Sequence, residues 1–192
     1  RMVVIGGGVI GLEMGSVWRR LGTEVTVVEF LDRLIPGTDN EIAKKFLTIC
    51  KKQGMKFKLS TKVNGAEVGA NGKVQLALED VKKGKESSLE ADVCLVSIGR
   101  RPFTEGLGLE EMGIAMDRIG RVVVDEHFRT NISSIFAIGD VIDGPMLAHK
   151  AEEEGIAAVE YIKGLGGHVN YDAIPGVIYT FPEVATVGKT EE

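Results

Sequence analysis

Cysteine is scarce in this chain of 192 residues: Cys50 and Cys94 are the only two. Their wide separation excludes the short cysteine pair of a redox motif or a zinc knuckle. Cys50 closes the run Phe46-Leu47-Thr48-Ile49-Cys50 and Cys94 sits in Asp92-Val93-Cys94-Leu95-Val96, so both are expected to be buried thiols. His127, His149 and His168 are the only histidines and lack the spacing of metal ligands, so no metal site is expected. Positive charge is not in excess either. A net charge of -5 offers no basic face for nucleic acid. No apolar run approaches the roughly 18 residues of a membrane span. With 44% hydrophobic and 27% charged residues, the composition is that of an ordinary globular chain holding one large or two modest domains. Arg1 leads straight into an apolar run with no signal or transit segment, and the chain is expected to be an interior piece of a longer protein.

What the chain does have is glycine, and its first cluster is the most informative. Val3-Val4-Ile5 runs into Gly6-Gly7-Gly8-Val9-Ile10-Gly11, then a helical stretch, then Thr26-Val27-Val28-Glu29. An apolar strand, a glycine turn, a helix and a second strand ending in an acid is the layout of a dinucleotide-binding βαβ unit. Gly6 permits the sharp exit from the strand, Gly8 lets a pyrophosphate approach the backbone, and Gly11 lets the helix pack closely on the sheet. Free N–H groups at the helix start then face the phosphates. Ile10, Met14, Val17, Trp18 and Leu21 are expected to supply apolar contacts at helical spacing, with Trp18 in the core. Glu29 stands where an acid accepts hydrogen bonds from ribose hydroxyls and repels a 2′-phosphate, which favours NAD over NADP.

Further along, Asp39 is a candidate N-cap for a helix through Lys52 that ends at Gly54. Met55 to Leu59 and Lys62 to Val68 read as strands, and Asn71-Gly72 marks a hairpin into a strand at Lys73 to Glu79. Lys82 to Glu86 reads as a solvated hairpin tip, and Leu89 to Ile98 as a buried strand. Pro102 marks a domain exit. A short helix at Leu107 to Met112 and a strand at Arg121 to Val124 are expected next. Thr130 to Asp140 then reads as a strand ending in Gly139-Asp140, where a carboxylate at the strand end can bind the hydroxyls of a cofactor chain. Past Gly144-Pro145, a helix is expected from Met146 to Lys163, its free N–H groups forming an electropositive end suited to a reduced flavin ring. Glu152, Glu153 and Glu154 are expected on its solvated face. Val177 to Gly188 is strand-like with a proline break, and a further helix is expected to start at Thr190.

In order and spacing, Gly6 to Glu13, Glu29, Ile98-Gly99-Arg100-Arg101-Pro102, Thr130 to Asp140, Gly144 to His149 and Tyr179 to Gly188 closely resemble the flavin disulfide reductase family. The resemblance covers essentially the whole chain and is nearest to the family's dihydrolipoamide-oxidising branch. It implies an α/β fold in three parts. Residues 1–102 would be a Rossmann-like NAD-binding domain, a parallel sheet with helices plus an antiparallel β-meander. Residues 103–172 would be a central domain contributing to the FAD site, and 173–192 the truncated start of an α+β dimer-interface domain.

The implied activity passes electrons from dihydrolipoamide through a disulfide and FAD to NAD. Gly6, Gly7, Gly8, Val9, Ile10, Gly11, Leu12 and Glu13 would hold the pyrophosphate and nicotinamide side, and Glu29 the adenosine ribose. Val63 and Gly99 would line the NAD cleft, Asp140 would bind the FAD ribityl chain, and Met146, Leu147, Ala148 and His149 would meet the flavin. The redox cysteines and the catalytic His and Glu of the family would lie outside this chain, so no residue here is expected to be catalytic. The implied partners are dihydrolipoamide on lipoyl domains, a second copy in a homodimer, and 2-oxoacid dehydrogenase complexes, with no nucleic acid and no membrane. The implied location is the mitochondrial matrix in a eukaryote and the cytoplasm otherwise. A glutathione reductase, NADH oxidase or mercuric reductase shares this frame, although Glu29 argues against the NADP-preferring glutathione type. A stand-alone NAD-binding or redox-sensing module is the alternative from another class.

Overall fold

Strand β1, Met2–Ile5, is apolar at every position because it is buried on both faces. Met2 and Val4 point to one side and Val3 to the other, so the two faces feed different clusters. It is followed by helix α1, Val9–Arg20, then β2, Val25–Val28, helix α2, Asn40–Lys52, and β3, Lys56–Lys58. Next come β4, Thr61–Val68, β5, Val74–Asp80, β6, Glu86–Ala91, and β7, Val93–Val96. The computed structural model describes residues 1–192 and divides into two compact units, Arg1–Gly99 with Pro175–Glu192, and Arg100–Ile174.

In the first unit, a four-stranded parallel sheet has the order β3-β2-β1-β7 and a three-stranded antiparallel sheet the order β4-β5-β6. One face of the parallel sheet packs Val4, Val25 and Val27 against Leu12 of α1 and Ala43, Phe46 and Cys50 of α2. The other packs Val3 and Val28 against Leu76, Leu78 and Ala91 of the antiparallel sheet. The result is three layers: helices, parallel sheet, meander. A small hairpin, β8, Gly176–Ile178, with β9, Val184–Thr186, places Ile178 in the helix-side cluster. Asp39 caps α2, its carboxylate accepting from the Glu41 and Ile42 amides at 2.8 and 3.2 Å.

The second unit has one long helix, α3, Ala148–Ile162, and a core of Ile114, Val122, Phe128, Ile142, Ala157, Ala158 and Val169. The rest is turns tied by local hydrogen bonds. Arg121 is one such tie, its Nε donating to Asp117 at 2.6 Å. The Arg121 backbone amide and guanidinium hold the Asp117 carboxyl down at about 2.

The structure corrects the expected burial of the first helix. Ile10, Met14, Val17, Trp18 and Leu21 are exposed, Trp18 at 48% and Leu21 at 70%. The face that packs on the sheet is Gly11, Leu12, Gly15 and Ser16. Both sets are helix-periodic, and the smaller residues go inward because a Cβ on Gly11 would sit 2.3 Å from the Gly6 carbonyl oxygen. Leu89 to Ile98 is not one buried strand. At Asp92 the chain leaves the antiparallel sheet and enters the parallel one, with Val93, Val96 and Ile98 exposed. Arg121 to Val124 and Thr130 to Asp140 form only the isolated bridges Met116 with Val122 and Arg129 with Phe136, and Leu107 to Met112 makes turns. Thr190 starts no helix. Cys50 is buried as expected, but Cys94 is only half-buried.

The two thiols lie in clusters on opposite faces of the parallel sheet, so they cannot pair. Burial pushes the Cys50 thiol up to about 11 and raises Cys94 as well. In native protein at pH 8, iodoacetamide should therefore label Cys94 well before Cys50, with equal labelling only in denaturant. Peptide mass spectrometry showing Cys50 labelled as fast as Cys94 would contradict this packing.

Candidate functional site

In the parallel sheet Ile5 is in register with Val28 on one side and Val96 on the other. The next residues, Gly6, Glu29 and Ser97, therefore stand side by side at the C-terminal edge. β1 leads through α1 to β2 and then β3 on one side, and the chain returns by way of the meander to β7 on the other, so this edge is a topological switch point, where open α/β sheets take their ligands. Gly6 has φ +109°, and a Cβ there would lie 2.3 Å from the Ser97 carbonyl oxygen, so the strand exit admits only glycine.

Gly7 is held from both ends. Its N–H donates to Glu29 Oε2 at 2.6 Å, and its carbonyl accepts from Ile35 N–H at 2.9 Å. The other Glu29 oxygen accepts from Leu31 N–H at 2.7 Å, so the carboxylate faces the glycine turn and locks the loop after β2. Ile35, buried and β-branched, takes φ +43° to make its bond, a left-handed conformation that such residues avoid.

Beyond Gly7 the turn opens. A Cβ on Gly8 would meet nothing within 4 Å. Gly8 is the N-cap of α1 with no side-chain cap and no acid in the first turn. The first helical bond runs from Leu12 N–H to Gly8 C=O at 3.1 Å, which leaves the preceding amides without intrahelical partners. An open backbone cradle at an uncapped helix start fits a diphosphate.

The remaining residues of this expected site are scattered in role. Val9 and Ile10 are exposed at the helix start, whereas the Leu12 side chain is in the core. Glu13 Oε1 accepts from the Tyr179 amide at 2.8 Å. Val63 packs into the cluster between the two sheets. Gly99, φ +118°, has open space around its missing side chain.

In the second unit Asp140 lies in a single 3-10 turn, Gly139–Val141, and Arg100 Nη1 donates to its Oδ2 at 3.0 Å. Arg100 also bonds the Met146 carbonyl. Leu147 is the N-cap of α3 without a side-chain cap, and Ala148 and His149 open the helix, which has no acid in its first turn. Under this turn lies a charged group that sequence periodicity misplaced. Glu154, expected on a solvated face with Glu152 and Glu153, is wholly buried. It forms a 2.9 Å ion pair with Lys150, itself wholly buried. Glu154 Oε2 accepts from Gly139 N–H at 2.7 Å, and Oε1 also accepts from Tyr171 Oη at 2.7 Å. Burial pushes the Tyr171 phenol far above its usual range, and the bond to Glu154 adds to this. Sequence reasoning alone assigned no role to Ile35, Lys150 or Tyr171, none to Arg100 beyond its place in a motif, and to Glu154 only a place on a solvated face. The one local signal was the four-residue spacing of Lys150 and Glu154.

The family model for pyridine nucleotide-disulphide oxidoreductases matches residues 1–155. The chain belongs to the pyridine nucleotide-disulphide oxidoreductase family. It is 59% identical over 192 residues to a mitochondrial dihydrolipoyl dehydrogenase of Pisum sativum, matching 100% of this chain and 38% of that protein. It is 62% identical to the mitochondrial dihydrolipoyl dehydrogenase of Dictyostelium discoideum, matching 100% of this chain and 40% of that protein. Among solved structures, the HOCl-induced flavoprotein disulfide reductase RclA of Escherichia coli superposes with a TM-score of 0.88 at 29% identity, over 99% of this chain and 42% of that one. The chain thus spans about two fifths of the length of these relatives.

The cradle geometry separates Gly8 and Gly11 of this family member by what a side chain would cost at each. Gly11→Ala should cost about 1–3 kcal/mol or more through overpacking against Gly6 and Ser97. Gly8→Ala, which meets open space, should cost under about 1 kcal/mol as an N-cap change. Urea unfolding monitored by circular dichroism would check this, and equal losses would contradict the close approach of α1 to the sheet edge.

Proposed function

We propose that this chain is the nicotinamide-nucleotide-binding and flavin-contacting portion of an NAD-linked enzyme that oxidises dihydrolipoamide to lipoamide. Its relatives named dihydrolipoyl dehydrogenase support the substrate class. The observation that carries the NAD assignment is the Glu29 carboxylate, fixed at the end of β2 beside the glycine turn. A carboxylate has about four acceptor positions, so one held by two backbone donors retains capacity for ribose hydroxyls. Its charge repels the 2′-phosphate of NADP.

In this reading residues 1–102 form the NAD domain, 103–172 the central domain and 173–192 the start of the interface domain. The amides of Gly8 to Gly11 neutralise the diphosphate, Gly99 leaves the cleft wall open, and Val63 supports it from the meander. Asp140 binds the flavin's polyhydroxyl chain, and Met146 to His149 present the uncapped start of α3 to the ring. Bound FAD would supply two-electron redox chemistry between a dithiol–disulfide couple and the nicotinamide of NAD. This chain's residues bind and orient the two cofactors. The dithiol chemistry belongs elsewhere, since Cys50 and Cys94 lie on opposite sheet faces. Dihydrolipoamide carried on lipoyl domains, a homodimer, 2-oxoacid dehydrogenase complexes and the mitochondrial matrix follow from the same reading.

Two measurements test it. Glu29→Arg should weaken NAD at least about tenfold, about 1.4 kcal/mol, and move preference toward NADP. Fluorescence titration with both nucleotides showing unchanged preference would remove Glu29 from this role. The full-length natural protein should reduce NAD with dihydrolipoamide as donor, whereas turnover only with NADPH and glutathione disulfide would overturn the substrate assignment.

A further inference from the structure

The buried ion pair on α3 is built around one backbone residue, Gly139, which directly precedes Asp140. The Lys150 ammonium has three N–H donors and three acceptors: Glu154 Oε1 at 2.9 Å, the Gly139 carbonyl at 3.1 Å and the Asp143 carbonyl at 3.2 Å. Glu154 Oε2 takes the Gly139 N–H at 2.7 Å. Both polar groups of Gly139 are thereby committed to one salt bridge. Gly139 has φ +75°, and a Cβ there would stand 3.1 Å from Ala151 Cβ, so the turn lies directly on the helix. Gly144 closes against the Lys150 stem, 3.0 Å from its Cε to a notional Cβ. The turn carrying Asp140 is thus pinned at Gly139 and at Asp143, on either side of the carboxylate. Tyr171 donates to Glu154 Oε1 at 2.7 Å and holds the glutamate from outside.

A salt bridge is not needed to fill this space. Isolated from water, such a pair is weak evidence for stability, and an apolar pair of similar volume serves packing as well. What an apolar pair cannot do is hold an amide and two carbonyls in fixed positions. We propose that Lys150, Glu154 and Tyr171 are positioning residues that set the Gly139–Asp140 turn for the hydroxyls of the flavin side chain. This role rests on Asp140 binding the flavin's polyhydroxyl chain, as proposed above. All three act through Gly139 and Asp143.

The test uses the full-length natural protein stripped of flavin and titrated with FAD and, separately, NAD. The double variant Lys150→Met with Glu154→Leu should fold with a lowered melting temperature, because Gly139 and the Asp143 carbonyl lose their partners, and should lose FAD affinity by at least about tenfold. NAD affinity should not move, because the nucleotide cradle lies in the other unit. Amide exchange across residues 138–143 should speed up in parallel. Tyr171→Phe, a milder change on the half-exposed partner, should weaken FAD by about two- to fivefold, the order of one lost hydrogen bond. It keeps the test decisive if the double variant does not fold. Unchanged FAD affinity in a folded variant, or parallel loss of FAD and NAD affinity, would overturn the proposal. Asp140→Asn distinguishes the underlying reading. If it leaves FAD binding intact, the Asp140 assignment fails; if it weakens FAD while the network variants do not, only the positioning role fails.

Discussion

The first unit depends on how one glycine is fixed. Gly7 gives its N–H to Glu29 and its carbonyl to Ile35, and the two bonds draw the loop after β2 across the sheet edge onto the glycine turn. With Gly7 occupied, the next amides along the chain stand without intrahelical partners at an uncapped helix start. Strain at Ile35 and overpacking limits at Gly6 and Gly11 are tolerated because the surrounding core over-determines them. Glu29 therefore braces the turn and, in the function proposed above, also presents charge to a ribose.

The second unit repeats the device with different residues. Gly139 is also bonded at both polar groups, again with a carboxylate on its N–H, and it too precedes the residue proposed to meet a cofactor. In the first unit the brace comes from a neighbouring strand and loop, and its carboxylate is only half-buried. In the second it comes from inside a helix, is removed from water, and needs its own counterion. That difference explains why the second unit, with little regular structure, holds a defined turn.

The parallel sheet, its two helices and the meander were legible in the sequence because their signals are local. Continuous apolar runs mark strands covered on both faces, Asp39 and Gly54 bracket α2, and Asn71-Gly72 sets a hairpin. The errors arose where one periodicity admits two answers. The apolar stripe from Ile10 to Leu21 is as regular as the glycine stripe beside it, and only the close approach of α1 to the sheet selects the small residues. Glu154 reads as one of three solvated acids until the Gly139 turn and Tyr171 are brought against it, with Lys150 one turn earlier in the same helix as its counterion. Thr130 to Asp140 has the composition of a strand but no neighbouring strand to complete a ladder. The Gly7 brace was half visible: Glu29 was identified for its charge, while Ile35 carries no sequence mark of its bond.

If the turn from Gly8 to Gly11 receives a diphosphate while Glu29 faces the adjoining sugar, the backbone amides at those positions must respond to nucleotide directly. Nitrogen-15 amide spectra recorded during titration with NAD observe the atoms concerned. The amides of Gly8, Val9, Ile10 and Gly11 should shift first and saturate together with those of Glu29 and Leu31. Saturation with NAD that leaves these amides in place and moves others instead would contradict the diphosphate cradle.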